Sequence, residues 1–412
     1  MTLYSPFFML GFLPLSAGIY NFLPQKLKTC ALCIINLVFY LLCAGKYFIV
    51  LPALAIVAYA LSFLGKKGFY ICLILLPVIR IIGINAIGVS FFLLRAASYI
   101  YDGYTEKNIL KVFAFLMFFP CIHAGPLARY GDIQKGFDKE RDYSAISRGI
   151  CLLILGALKK LFFADALYTA FDTFYIASTS LSAFAALSCY TLYIYFDFSG
   201  CSDMAIGIAL MFGFNMPKNF EFPYMSRSVG EFFRRWHISL GRWLFDYVYI
   251  PLGGSKNGRV RTVISLFTVW LVSALWHGTS LSYLLWGAWF FLLSVLEKFG
   301  VKLGRLCTLF AVVFGWVFFF SKTPMDAFVF FKRLFALGDT LLYSRADIYN
   351  TVRYAPFAVF SAICATPLLH NLLCSIYKRV KPLAYMLVFP ALLLVLSCLA
   401  VGGHMPFLYA SF

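Results

Sequence analysis

The feature that most constrains this chain is the length of its apolar runs. Cys30–Leu64, Phe69–Ile100, Thr262–Leu296 and Leu383–Val401 carry few charges, and shorter runs cover Ile109–His123, Ser144–Phe163, Leu181–Phe196, Arg305–Phe320 and Tyr354–Leu373. A helix needs about 20 apolar residues to cross ~30 Å of hydrocarbon. Several of the runs hold enough residues for two passes. The pattern predicts an all-α, multi-pass membrane protein with roughly ten to twelve membrane segments, some short or re-entrant. Alternating polar and apolar strands are absent, which excludes an outer-membrane barrel. Composition agrees: 62% of the 412 residues are hydrophobic and 13% charged, against about 45–50% and about 25% in soluble domains.

No soluble domain or internal repeat stands out, so residues 1–412 are read as one membrane domain. Met1–Leu23 lacks a basic leader and holds Pro6, Pro14 and Asn21, so it is expected to stay as a membrane or interfacial segment. The net charge of +18 fits basic loops facing the cytoplasm and anionic membrane lipids, rather than nucleic acid. The twelve cysteines are scattered through apolar runs, where a thiol packs as a small hydrophobe. Cys30-Ala-Leu-Cys33 has no second pair or nearby histidine to complete a zinc site. No metal motif, phosphate loop or dinucleotide fingerprint is present, so no bound metal or cofactor is expected.

Two polar segments stand out. In Ser321–Arg353, Thr323, Pro324 and Asp326 predict a helix start, and Phe328, Phe331, Leu334 and Phe335 predict an apolar face lying along the membrane. In Lys218–Arg261, Arg227, Arg234, Arg235 and Arg242 interleave with Trp236, Trp243, Tyr247 and Tyr249. Two readings stay open: an anchor at the cytoplasmic interface, or a surface for the phosphates of a donor such as coenzyme A. Pro251-Leu-Gly-Gly-Ser breaks regular structure, and the segment is expected to dip in as a re-entrant element.

Of five histidines, His277 is the foremost catalytic candidate. It lies sixteen residues beyond Arg261, roughly 24 Å if helical, inside an apolar run. An ionisable group at membrane depth is costly and marks function by default. A buried imidazole stays neutral, as a general base must be; a histidine that only bonds across to a neighbouring helix is the other reading. Gly278 leaves room beside the ring, and Trp276 and Trp286 are candidate walls. A second constellation, Tyr195–Gly207, places Asp197, Ser199 and Asp203 in an apolar stretch. Carboxylates there must be paired or wet, with Arg234, Arg235 or a histidine as expected partners. Asp197, Ser199 and Asp203 join Arg234, Arg235, Trp236, Arg242 and Trp276 as candidate substrate- or donor-binding groups. Capping and ion pairing are the simpler roles for the carboxylates.

The strings YFDFSGCSDMAIG (Tyr195–Gly207), NFEFPYMSRSVGEFFRRWHISLGRWLFDYVYIPLGG (Asn219–Gly254) and SALWHGTSLSYLLWG (Ser273–Gly287) resemble the membrane-bound O-acyltransferase family, in particular its bacterial alginate O-acetyltransferase branch. Phe119–Ile133 and Gly315–Phe335 resemble it too, giving a signature core of about 119–335. The resemblance implies a helical funnel with a tunnel through the bacterial cytoplasmic membrane. It matches His277 to the family's catalytic histidine and His237 to its second signature histidine. The implied activity transfers an acyl group, usually acetyl, from acetyl-CoA or another acyl thioester, including an acyl-carrier donor, to an envelope polysaccharide, with an SGNH-type extracytoplasmic transferase as partner. D-alanyl transfer to teichoic acid and a non-enzymatic transporter or flippase are the alternatives. One departure is Gly241-Arg242-Trp243-Leu244-Phe245-Asp246, where the branch usually has Ser-Thr-Trp-Phe-Arg-Asp. The tail, residues 405–412, resembles the branch's Phe-x-Tyr-x-x-Phe ending, which makes the Tyr409 hydroxyl a candidate acyl relay. An interfacial anchor is its other reading.

Overall fold

The computed structural model describes residues 2–82, 86–104, 106, 108–122, 125–139, 142–379 and 381–407. Among them every regular element is helical and no strand occurs, as the sequence predicted. Among the described residues four helices are long and apolar enough to cross a membrane: Gln25–Tyr47, Ser180–Met211, Gly258–His277 and Leu281–Lys298. Arg345–Cys364 and Pro367–Ile376, bent by 63°, form a broken fifth span or a re-entrant loop. Six shorter apolar helices of 10–17 residues accompany them.

The long apolar runs break where the backbone requires it. Cys30–Leu64 divides at Gly45, which adopts a positive φ of 52° that side chains resist, into Gln25–Ala44 and Val50–Ser62. The Thr262–Leu296 run divides at Gly278 into two helices packed on each other.

The chain forms two compact units. The first holds Met1–Leu158, Phe198–Lys218 and Ala391–Phe412; the second holds Lys159–Asp197 and Asn219–Pro390. In the first, the Val89–Tyr101 helix is buried along nearly its whole length. Asn36 ties off the end of the Ile109–Leu116 helix: its Nδ2 donates to Ala114 O (3.2 Å), and its Oδ1 accepts from Phe119 N (3.0 Å). Glycines let two helices touch backbone to backbone there. A Cβ on Gly149 would stand 2.5 Å from Gly207 O, and one on Gly207 would stand 2.6 Å from Gly149 O. Small-residue crossings of this kind replace the hydrophobic effect as the packing force in lipid.

The second unit is built around the pair Gly258–His277 and Leu281–Lys298. Trp270 Nε1 donates to Ser294 Oγ (3.0 Å) across the pair, and Trp289 Nε1 donates to Ala311 O (2.8 Å) on the Gly304–Phe320 helix. The predicted surface helix is present as Pro324–Leu334, capped reciprocally by Thr323 and Asp326. The residues it turns towards the rest of the unit are not those of the apolar face expected along the membrane. Ala327 and Phe330 are buried, while Phe328 and Phe335 point outward, because Phe330 packs edge-on against Phe320 (5.1 Å) and stacks on Tyr175 (6.1 Å). Arg333, just beyond, donates to Tyr175 O (3.0 Å) at the end of the Asp165–Ile176 helix, satisfying one of its terminal carbonyls.

Candidate active site

The site is assembled from the second unit. His277 is the last residue of the Gly258–His277 helix and is 3% exposed. It therefore sits at the end of a span rather than midway along an apolar run. Gly278 caps the helix, its N–H donating to Ala274 O (3.1 Å). A Cβ on Gly278 would stand 2.6 Å from Cε2 of Tyr283, so the missing side chain is what lets that ring close over the helix end.

Aromatic rings surround the imidazole. Trp276 (4.8 Å), Trp286 (5.0 Å) and Phe319 (5.1 Å) meet it edge to face, and Tyr283 lies tilted at 6.3 Å. Rings of this kind lower the local dielectric, so a hydrogen bond to the imidazole is stronger there than in water. The indole Nε1 of Trp286 is buried without a hydrogen-bond partner among the described residues, a donor available to a ligand in that wall.

Trp276 joins two histidines. Its ring centroid lies 4.8 Å from His277 and 5.9 Å from His237. His237 is 4% exposed and holds a left-handed backbone, φ 45° and ψ 52°, at the junction of the Val229–Arg235 and Ile238–Leu244 helices. Such a conformation costs a non-glycine residue roughly 1–2 kcal/mol and persists where surrounding contacts impose it. Here they come from Asn219. Its O accepts from Ile238 N (3.0 Å), and its Oδ1 lies 3.2 Å from His237 Nδ1. The same Oδ1 accepts from Ser239 N (3.2 Å) and Ser239 Oγ (2.9 Å). Burial pushes the His237 imidazole down to about 3, so it is neutral at physiological pH.

The helix carrying Arg234 and Arg235 is fixed by an acid distant in sequence. Glu297 accepts from Val229 N (2.5 Å) and Gly230 N (2.9 Å), while Ser228 Oγ accepts from Glu231 N (3.0 Å). Trp236 is buried, stacked on Phe232 (5.5 Å) and set against Trp316 (5.0 Å). Tyr224 ties the segment to the Ser180–Met211 helix by donating to Thr191 O (2.6 Å). Arg235 bridges Glu231 (2.8 Å), and Arg234 and Arg242 are exposed. After Tyr249 the chain turns through Gly253 and Gly254, both at positive φ, so the predicted break falls where expected.

Asp197 has a different partner from those expected. It pairs with Lys160 at 2.8 Å, both side chains 0% exposed, instead of with Arg234, Arg235 or a histidine. Lys160 also holds Asp165 at 2.9 Å. The lysine reaches inward from a π-helical stretch, Lys159–Ala164, whose extra residue per turn re-aims its side chains. Ser199 and Asp203 belong to the first unit, the serine buried and the aspartate half-buried. Tyr409 lies outside the described residues. Asn219, Lys160 and Glu297 are the contributors that sequence reasoning passed over.

Comparison with known proteins places this geometry in context. The model of the membrane-bound O-acyltransferase family matches residues 104–331. A probable alginate O-acetylase AlgI of Pseudomonas syringae pv. tomato is 37% identical over 73% of this chain and 61% of its own length. A peptidoglycan O-acetyltransferase of Helicobacter pylori is 30% identical over 62% of this chain and 58% of its own. A teichoic acid D-alanyltransferase of Bacillus subtilis is 28% identical over 53% of this chain and 60% of its own. The chain thus spans about three fifths of the length of the curated relatives it matches.

Proposed function

Because the chain belongs to the membrane-bound O-acyltransferase family, we propose that it is an O-acyltransferase that moves an acyl group, acetyl foremost, from a cytoplasmic thioester to a hydroxyl destined for an envelope polysaccharide. The observation that carries this reading is the caged His277, a buried imidazole at the end of a span, with His237 on the same tryptophan. His277 takes the proton of the attacking hydroxyl as its oxygen bonds to the thioester carbonyl carbon. The tetrahedral intermediate then expels the thiolate, which receives that proton, leaving an ester and a free thiol. The surrounding rings keep water from competing for the acyl group.

The donor is acetyl-CoA or another acyl thioester, delivered at a bacterial cytoplasmic membrane, and Arg234, Arg235 and Arg242 supply positive charge for its phosphates. The attacking hydroxyl belongs to Tyr409 or to the glycan, and an SGNH-type extracytoplasmic transferase completes delivery. Higher identity to the O-acetyl relatives than to the D-alanyl one favours acetyl.

The test uses purified protein and radiolabelled acetyl-CoA without acceptor, comparing wild type, His277→Ala and Tyr409→Phe. Label retained on wild type and lost in both variants supports acetyl-CoA as donor, His277 as base and Tyr409 as relay. Label retained by Tyr409→Phe rejects the relay; label retained by His277→Ala rejects the base.

A further inference from the structure

We propose that Asn219 is a positioning residue: it locks His237 in the tautomer whose Nε2 carries the lone pair, so His237 meets a substrate as a hydrogen-bond acceptor and cannot donate to an oxyanion. This rests on the acyltransferase reading for its role in turnover, though not for the tautomer itself.

The tautomer follows from counting hydrogens. The atom of Asn219 that faces His237 also faces the backbone N–H of Ser239 at 3.2 Å. A backbone N–H can only donate, so that atom is the amide oxygen. An amide oxygen carries no hydrogen, so the contact with His237 Nδ1 at 3.2 Å requires the proton to be on Nδ1. In a neutral imidazole the other nitrogen, Nε2, then holds the lone pair. Burial keeps the ring neutral, which removes the state in which both nitrogens would donate.

The contact is built to hold. Asn219 is 1% exposed, and its oxygen is oriented by Ser239 N and Ser239 Oγ. Its backbone carbonyl takes the N–H of Ile238, which fixes the left-handed turn at His237 itself. One residue thus sets both the backbone and the ring of the histidine. The Nδ2 of Asn219 is buried and finds no hydrogen-bond partner among the described residues. A donor beside the accepting histidine suits a polar ligand, such as the carbonyl of a thioester donor's pantetheine-like arm.

The two histidines therefore divide the work. With its Nδ1–H committed to Asn219, His237 receives a substrate O–H or N–H at Nε2 and orients it, and proton removal falls to His277.

The experiment is 15N NMR of histidine-labelled full-length protein in detergent, with His237→Gln assigning the resonance, alongside acyl-transfer kinetics. The expected wild-type spectrum shows His237 protonated on Nδ1, with Nε2 as the bare nitrogen. Asn219→Leu loses that preference and lowers kcat by about 10²-fold, the scale of a lost positioned group, with KM for the donor little changed. Asn219→Asp keeps an acceptor, so Nδ1 stays protonated, whether the ring is neutral or drawn to its cation by the new carboxylate. An Nε2-protonated His237 in wild type, or an unchanged tautomer in a folded Asn219→Leu, overturns the proposal. The wild-type spectrum and Asn219→Asp decide the matter even if Asn219→Leu fails to fold. A correct tautomer in a protein that transfers no acyl group leaves the lock standing and removes the catalytic reading instead.

Discussion

At the scale of single residues, the two histidines were unequally visible in the sequence. His277 announced itself, because an ionisable side chain in a run such as Leu271-Val-Ser-Ala-Leu-Trp-His is costly unless it serves a purpose. Its cage was half legible: Trp276 and Trp286 were named as walls, whereas Tyr283 and Phe319 were not, since their approach depends on the break at Gly278 and on the packing of the Gly304–Phe320 helix. Asn219 was invisible for a physical reason. An asparagine in a short polar stretch reads as a turn or cap residue, and nothing local reveals that its amide oxygen serves a histidine eighteen residues on. Burial of neutral His237 has a consequence for pH. Its folded pKa is depressed to about 3 from 6.5. The unfolded chain therefore binds a proton that the folded one refuses between those values, and stability falls as pH drops from 6.5 towards 3. His237→Gln should flatten that part of a plot of Tm against pH in detergent. A wild-type Tm that does not fall across this interval would contradict the burial.

At the scale of elements, the sequence located helices well and their inward faces less well. Helix breaks at Gly45, Gly278 and the Pro251–Gly254 turn follow from backbone chemistry, which is local. The inward residues of Pro324–Leu334, Ala327 and Phe330, were not legible because a helix in a membrane protein has no single water-facing side against which amphipathicity can be read. Lys160 was missed for a related reason: a Lys-Lys pair at the end of an apolar run reads as an interfacial anchor. The π-helical turn overrides that reading by directing Lys160 inward to Asp165 and Asp197. Removing one partner of a buried ion cluster strands the other charges. Lys160→Met, close in volume and uncharged, should cost about 3–5 kcal/mol of stability. Adding Asp197→Leu should recover part of that loss. Thermal melts of the single and double variants decide it, and a Lys160→Met protein as stable as wild type would show that the cluster contributes nothing.

At the scale of the whole molecule, composition and run length were enough for the all-α class, and the order of the signature strings was enough for the family. Those properties are additive along the chain, so a single sequence carries them. Acceptor and donor are not of that kind; they depend on how a few side chains meet a ligand, and relatives named for alginate, peptidoglycan and teichoic acid all align with this chain. The central claim is His277-dependent transfer of an acyl group to a hydroxyl. The most direct measurement is alkali-released acetate from the envelope polysaccharide of cells making wild type or His277→Ala, with folded protein in the membrane matched by size-exclusion profile after extraction. Ester acetate is expected in wild-type cells, with a fall of about 10²–10⁴-fold in transfer rate for the variant, the range for loss of a general base. Equal ester acetate from equal amounts of folded His277→Ala protein would contradict that claim.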